Sequence, residues 1–217
     1  MTAQAGDRTT TRLDRRKART RRALVEAARR LLAERHTTDV SIQEITDTAD
    51  VGFGSFYNHF ESKAELFEVA VAEVLEEYGA ALDRACDGLE DSAEIYAVGV
   101  RMTARLAESH PEVARILLQV GLTYVASDQG LAARALRDIR RGIDAGRFKV
   151  DNPTVGLAST AGCVLAFLQL SLDRPGSFAD GDADALAEML LRMLGMSPSS
   201  ARAVAHRQLP PLPPTSA

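Results

Sequence analysis

The chain has 217 residues, 46% of them hydrophobic and 26% charged, which excludes a collagen-like or wholly disordered chain and leaves room for one or two domains with a core of their own. Trp is absent, aromatics make up 5%, and the two cysteines, Cys86 and Cys163, are too few for a disulfide framework or a four-cysteine zinc site, so the core must be largely aliphatic and a reduced compartment is expected. The net charge of −4 is unevenly spread: residues 1–63 carry 12 basic and 9 acidic side chains, residues 64–217 carry 14 and 21, and a basic leading unit on an acidic body points to a polyanionic partner, nucleic acid ahead of an anionic membrane.

Residues 1–12 read as a flexible basic arm, and the first 22 residues hold no apolar run of the kind a secretory signal needs, so a cytoplasmic protein is expected. No proline precedes Pro111, which leaves the first half free for helices. A helix is predicted over about 13–35, where Leu24, Ala28, Leu31 and Leu32 form one apolar stripe. After the short loop HTTDV, Ser41 with Glu44 three residues on is a capping box that opens a helix to about Thr48. DVGF is a turn, a second short helix runs from about Gly54 to His59, and Ser62 with Glu65 repeats the capping box ahead of a long helix to about Arg84. Further helices are predicted at about 90–108, 111–127 with a break near Gly121, 129–145, 153–173 and 183–195. The tail 198–217, with PPLPP, reads as extended or disordered. No segment alternates as a strand would. The prediction is an all-α protein of about nine helices, with a helix-turn-helix domain over 13–62 and an effector-binding and dimerisation domain over 63–197.

Three short helices within about 50 residues, the last two joined by a tight turn, have the geometry in which one helix braces across the DNA backbone while the next enters the major groove. Gly52 is the small residue the turn calls for, and Ile42, Ile45, Ala49, Val51 and Phe56 supply a shared core. Five of the eleven aromatics fall within 53–67; Phe56 and Phe60 belong by periodicity to the core rather than to a DNA surface.

The stretch SIQEITDTADVGFGSFYNHFESKAEL resembles the DNA-binding signature of the TetR-type transcriptional regulators: a short helix, a small-residue turn, a recognition helix with Tyr57, His59 and Phe60, then Lys63 opening the next helix. The likeness covers roughly residues 18–67, and the remainder matches in helix count and length. His36 and Asp50 stand where glycines are common in the family. The resemblance implies a double-stranded DNA operator as partner. It implies phosphate contacts by Ser41, Ser55, Tyr57, His59 and Lys63, which are hydroxyl, imidazole and ammonium donors. It places Gln43, Phe53, Gly54 and Asn58 near base edges, where Gln and Asn can read adenine, Phe can pack on a thymine methyl and Gly lets the backbone approach. Positive charge at a helix N-terminus opposes the macrodipole at about 0.3–1 kcal/mol per nearby group; Arg15, Arg16 and Arg19 are therefore candidates for phosphate or minor-groove contact, as in family members with such extensions.

Residues 152–172 carry no charge and nearly reach the length of a membrane span. Their Asn, Pro, Thr, Ser and Gln residues and the otherwise soluble chain argue against a membrane. Ala158, Gly162 and Ala166 instead make a smooth face for close helix approach. In the family the last two long helices form a four-helix dimer interface, which implies a homodimer built on 153–173 and 183–195, with Ala158, Gly162, Ala166 and Leu190 in it; burial within one subunit is the alternative. By the same resemblance the helices of about 63–145 enclose a pocket for an unknown small-molecule effector, with Tyr96, Arg101, Arg105, Gln119 and Tyr124 as candidate liners. No phosphate-binding Gly-rich loop, Ser nucleophile elbow, His-Glu-x-x-His or Glu-x-x-His motif is present, so neither catalysis, nor a metal, nor a cofactor is expected.

Overall fold

The structure, a computed structural model, describes residues 12–35, 39–121 and 130–211, and among these every regular element is helical. The chain divides into two compact units, Met1–Val71 and Ala72–Ala217. The division falls inside a helix, several residues beyond the boundary at 62 that the motif suggests.

The first unit holds α1 (Arg12–Arg35), α2 (Ile42–Thr48), a 3-10 helix η1 (Phe53–Asn58) and the opening turns of α3 (Lys63–Ala85). Leu24, Ala28, Leu31 and Leu32 of α1 are buried, joined by Val25 and Ala27. Ser41 caps α2, its Oγ accepting the Glu44 N–H at 3.1 Å. The turn after α2 corrects one expectation. Gly52 has φ −65, which any residue can adopt. The left-handed position is Asp50, at φ 52 the one described non-glycine residue with positive φ. Asp tolerates that region better than most residues, which is how the chain manages without a glycine there. His36, the other departure, lies outside the described residues. The helix expected over 54–59 is wound as η1, tighter than an α-helix. It drives Phe56 into the core, and Phe60 follows it, both essentially inaccessible beside the equally buried Ile45 and Leu66. At the start of α3 the Ser62 Oγ accepts the Glu65 N–H at 3.1 Å, while the Glu65 carboxylate accepts the N–H of Glu61 at 2.6 Å, one residue further back than a capping box requires.

The second unit continues α3 and adds α4 (Ser92–Ala104), α5 (Leu106–Ser109), α6 (Pro111–Val120), α7 (Gly130–Asp144), α8 (Pro153–Asp173), α9 (Asp182–Met193) and α10 (Pro198–Ala205). The single helix expected over 90–108 is broken at Arg105 into α4 and α5. α6 stops at Gly121, whose φ of 49 suits glycine; residues 122–129 are outside the described set. α4 lies at the centre, packed by α7, α8, α9 and α10. The tail is a second correction. Ser197 caps a helix through Ser200, Pro198 takes its first turn, and Ala201, Val204 and Ala205 are buried on α9 and α4. The tail therefore folds at least to Ala205.

Candidate nucleic-acid interface and ligand cavity

In the first unit the residues expected on DNA lie on η1, on the flanking caps and on α1. Phe53 is 46% and Tyr57 57% exposed, ring edge to ring face at 6.1 Å, although both are large and could have been buried. Tyr57 also meets the buried Phe56 edge-on at 5.3 Å, so its ring is braced on one side while the residue as a whole stays exposed. A Cβ added at Gly54 would meet nothing, so that surface is open to a close partner. Asn58 is exposed and only weakly held, its Nδ2 donating to the Gly54 carbonyl at 3.4 Å. Gln43 is exposed, with its Nε2 donating to the Asp47 carboxylate at 2.7 Å. Ser41 spends an oxygen lone pair on its cap and keeps a proton to donate. Ser55 is half-buried and Lys63 stands 3.9 Å from an Asp39 oxygen, a loose pairing that a phosphate can replace. Arg15, Arg16 and Arg19 are exposed on α1. Two more cations of the basic run over residues 8–22, Lys17 and Arg21, are exposed on α1 as well. Arg21 covers the Phe60 ring with its guanidinium carbon 4.9 Å from the centroid.

The second unit holds a partly open cavity of about 140 Å3. Leu82, Val100, Leu117, Leu157 and Val164 make apolar walls, and one edge is polar, with Asp83, Arg134, Arg137 and Asp138. Arg134 of α7 reaches α3 by Nε to Asp83 at 2.7 Å and by both terminal nitrogens to Glu76 at 2.8 and 2.7 Å. Gly79 makes this possible: a Cβ there would sit 2.6 Å from the Arg134 Nη1. Arg137 donates to Asp83 at 2.8 Å and to Asp138 at 2.9 Å. Burial works against the charge of Asp83, but the two guanidinium groups prevail and hold its carboxyl below the usual range. At Asp138 burial prevails over its single guanidinium bond and its pKa is raised. Burial, with the neighbouring Asp138 and Asp83, pushes the Cys86 thiol on the same wall up to about 11, so it stays protonated.

Across the cavity Tyr96 and Thr160 share a 2.7 Å hydrogen bond, and the Thr160 hydroxyl donates to the Gly156 carbonyl, also at 2.7 Å. Tyr96 therefore lines the cavity, unlike the other described candidates. Arg101 is 5% exposed and does not border it; its guanidinium pairs with Asp184 at 2.7 Å and donates to the Arg207 carbonyl at 2.8 Å, which satisfies a buried charge. Arg105 pairs with the same Asp184 at 2.7 Å and borders a separate hollow of about 320 Å3. Gln119 is exposed on α6, and Tyr124 lies outside the described residues.

On α8 the Ala158, Gly162 and Ala166 positions are exposed, with Cys163, Val155 and Leu170 beside them, while Leu157, Thr160, Val164 and Leu168 are buried on the opposite face. The helix is long and apolar enough to cross a membrane by composition alone. Leu190 of α9 departs from expectation: at 2% exposure it belongs to the subunit's own core, and its neighbours Met189 and Met193 are the exposed apolar side chains.

Residues 24–70 match the family profile of bacterial regulatory proteins of the tetR family, and residues 91–207 match that of the tetracyclin repressor-like C-terminal domain. Among solved structures, RolR in complex with resorcinol is 30% identical, with 92% of this chain and 99% of that one covered at a TM-score of 0.69; RolR without ligand is 31% identical over 88% and 100% at 0.73. A putative TetR regulator from Shewanella sp. PV-4, 17% identical over 81% and 97% of the chains at 0.67, shares the fold. The HTH-type transcriptional repressor DhaR of Mycobacterium sp. strain GP1 is 42% identical over 74 residues, 34% of this chain; the match spans about a third (35%) of that protein. With both units matched by profiles of one family and a relative aligned over nearly all of its length, the chain belongs to the TetR family of bacterial regulatory proteins and is a DNA-binding, ligand-responsive transcriptional regulator.

Proposed function

We propose that the protein is a cytoplasmic, non-catalytic repressor that binds a near-palindromic operator as a homodimer and is released by a small hydroxylated aromatic molecule. The cavity carries the second half of this reading. Its volume of about 140 Å3 resembles the roughly 150 Å3 apolar cavity that accepts one benzene ring. Its polar edge supplies carboxylate acceptors and guanidinium donors where ring hydroxyls would sit. RolR, aligned over 92% of this chain, binds resorcinol, which supports the same ligand class here. To release DNA the effector must bind the DNA-incompetent state more tightly, by a few kcal/mol for a useful switch.

Resorcinol tested by calorimetry against benzene and benzoate is the direct experiment. Resorcinol should bind and should release a bound operator. Asp138→Ala should weaken it about 10- to 100-fold, the worth of one charge-assisted hydrogen bond. Failure of every hydroxylated ring to bind the wild-type protein would remove this effector class.

On the DNA side the exposed apolar faces of α8 and α9 support a dimer, whose two heads would meet half-sites about 34–36 Å apart. Lys63→Ala should weaken all sequences alike and lower the salt slope by about one. Asn58→Ala should leave non-specific binding nearly intact while relaxing one base pair per half-site by about 1–3 kcal/mol. A binding selection that returns the wild-type preference from Asn58→Ala would pass readout to Gln43 and Phe53.

A further inference from the structure

α1 changes character along one face. Positions 17, 21, 24, 28 and 31 recur at spacings of three and four and so lie on one stripe. Its inner part, Leu24, Ala28 and Leu31, is core. Its outer part is Lys17 and Arg21, and both remain exposed. They are not scattered surface charge. The Arg21 guanidinium stands over the ring of Phe60, next in sequence to His59, and the charged groups that act on the His59 imidazole are Lys17 and Arg21, both from α1. Two cations and a half-buried imidazole thus come together at the C-terminal end of η1, and among the described residues the charges that shift His59 are those two cations. The exposed Tyr57 is two residues away in sequence.

We propose that Lys17, Arg21 and His59 form one composite phosphate-binding surface, so that α1 grips the duplex together with the helix-turn-helix, and that His59 takes up a proton from solvent when the phosphate arrives. This rests on the DNA-binding reading and extends it to residues outside the motif. The chemistry follows from the charges. In the free protein, burial first, and then Lys17 and Arg21, push the imidazole below its ordinary value of 6.5, so it is neutral near pH 7. A phosphate seated between the three groups reverses the field, and the imidazolium becomes the better donor. Binding is then linked to proton uptake. Affinity rises as pH falls through the window between the raised value in the complex and the depressed value in the free protein, and it is flat on either side.

The test is fluorescence anisotropy with a labelled mixed-sequence duplex of about 30 base pairs, long enough for two half-sites. It uses the full chain, from about pH 8 to about pH 5, with a salt titration at each end. Wild-type affinity should rise on acidification, by up to about tenfold per pH unit for each proton taken up. His59→Gln keeps a hydrogen-bond donor and should bind with a flat pH profile. Lys17→Gln should lower the salt slope by about one per head and move the rise to higher pH, because one of the two depressing charges is gone. A purely structural role for Lys17 would move neither. Melting curves confirm that each variant is folded. A pH-independent wild type, a His59→Gln protein as steep as wild type, or a Lys17→Gln protein with unchanged slope and profile overturns the inference while leaving DNA binding intact. A wild type that binds no duplex at any pH or salt overturns the DNA-binding reading and the inference together.

Discussion

Gly162→Leu is expected to turn the protein into a folded monomer that has lost operator binding. A Cβ at Gly162 meets nothing within its own subunit, so the substitution costs the protomer no packing, and leucine is a better helix former than glycine by up to about 1 kcal/mol. Any damage must therefore come from outside the subunit. If Ala158, Gly162 and Ala166 let a second copy of α8 approach, a leucine at the middle position overpacks the contact once on each side of the two-fold axis, at about 1–3 kcal/mol each. Loss of the second head removes the avidity of a linked pair, so operator affinity should fall by about 10²- to 10⁴-fold. Sedimentation and thermal melting read the two halves separately. A variant that melts at or above wild type and sediments as a dimer would show that this face pairs with nothing.

The largest effect on stability is expected from Gly142→Ala. A Cβ there would lie 2.1 Å from the Phe148 ring, which is 3% exposed and meets Tyr96 edge-on at 5.5 Å. The ring has no solvent to retreat into. Moving it disturbs Tyr96 and, through it, the cavity wall. The cost should reach about 3 kcal/mol or more, of which the roughly 1 kcal/mol helix advantage of alanine offsets only part. For a chain of this size the midpoint should fall by several degrees, at about 2–4 °C per kcal/mol. Effector binding should weaken with it. An unchanged melting curve would mean that Phe148 turns aside freely.

What the amino-acid order reveals follows from the range of each interaction. The two capping boxes, at Ser41 and Ser62, join residues three apart and are legible at sight. So are the core stripe of α1 and the burial of Phe56, since a helical period places them. α10 was hidden by its neighbours: Ser197–Pro198 is an N-cap followed by a first-turn proline, yet it reads as the start of a proline-rich tail. The polar edge of the cavity was out of reach. Asp83 meets Arg134 across 51 residues and Arg101 meets Asp184 across 83, and no periodicity marks either pair. Arg101 is a candidate liner by family resemblance alone, while nothing in the local sequence singles out Arg134 and Arg137, the arginines that border the cavity. The turn at Asp50 shows the same gap at short range. Gly52 is the small residue in the turn, but backbone hydrogen bonds from Asp50 to Asp47 and from Val51 to Thr46 set the left-handed step two residues earlier.

The chain of hydroxyls at the cavity also fixes which way its protons point. Thr160 gives its one proton to the Gly156 carbonyl, so in its contact with Tyr96 it can only accept, and the Tyr96 proton is committed to it. What Tyr96 has left for a visitor is a lone pair. On that wall the cavity is blind to acceptors: a phenol can hand it a proton, whereas the methyl ether of the same ring would set oxygen against oxygen. A group too uncharged to matter for affinity by electrostatics can thus act as a polarity filter, distinguishing a free hydroxyl from its capped form by the direction of a single hydrogen bond.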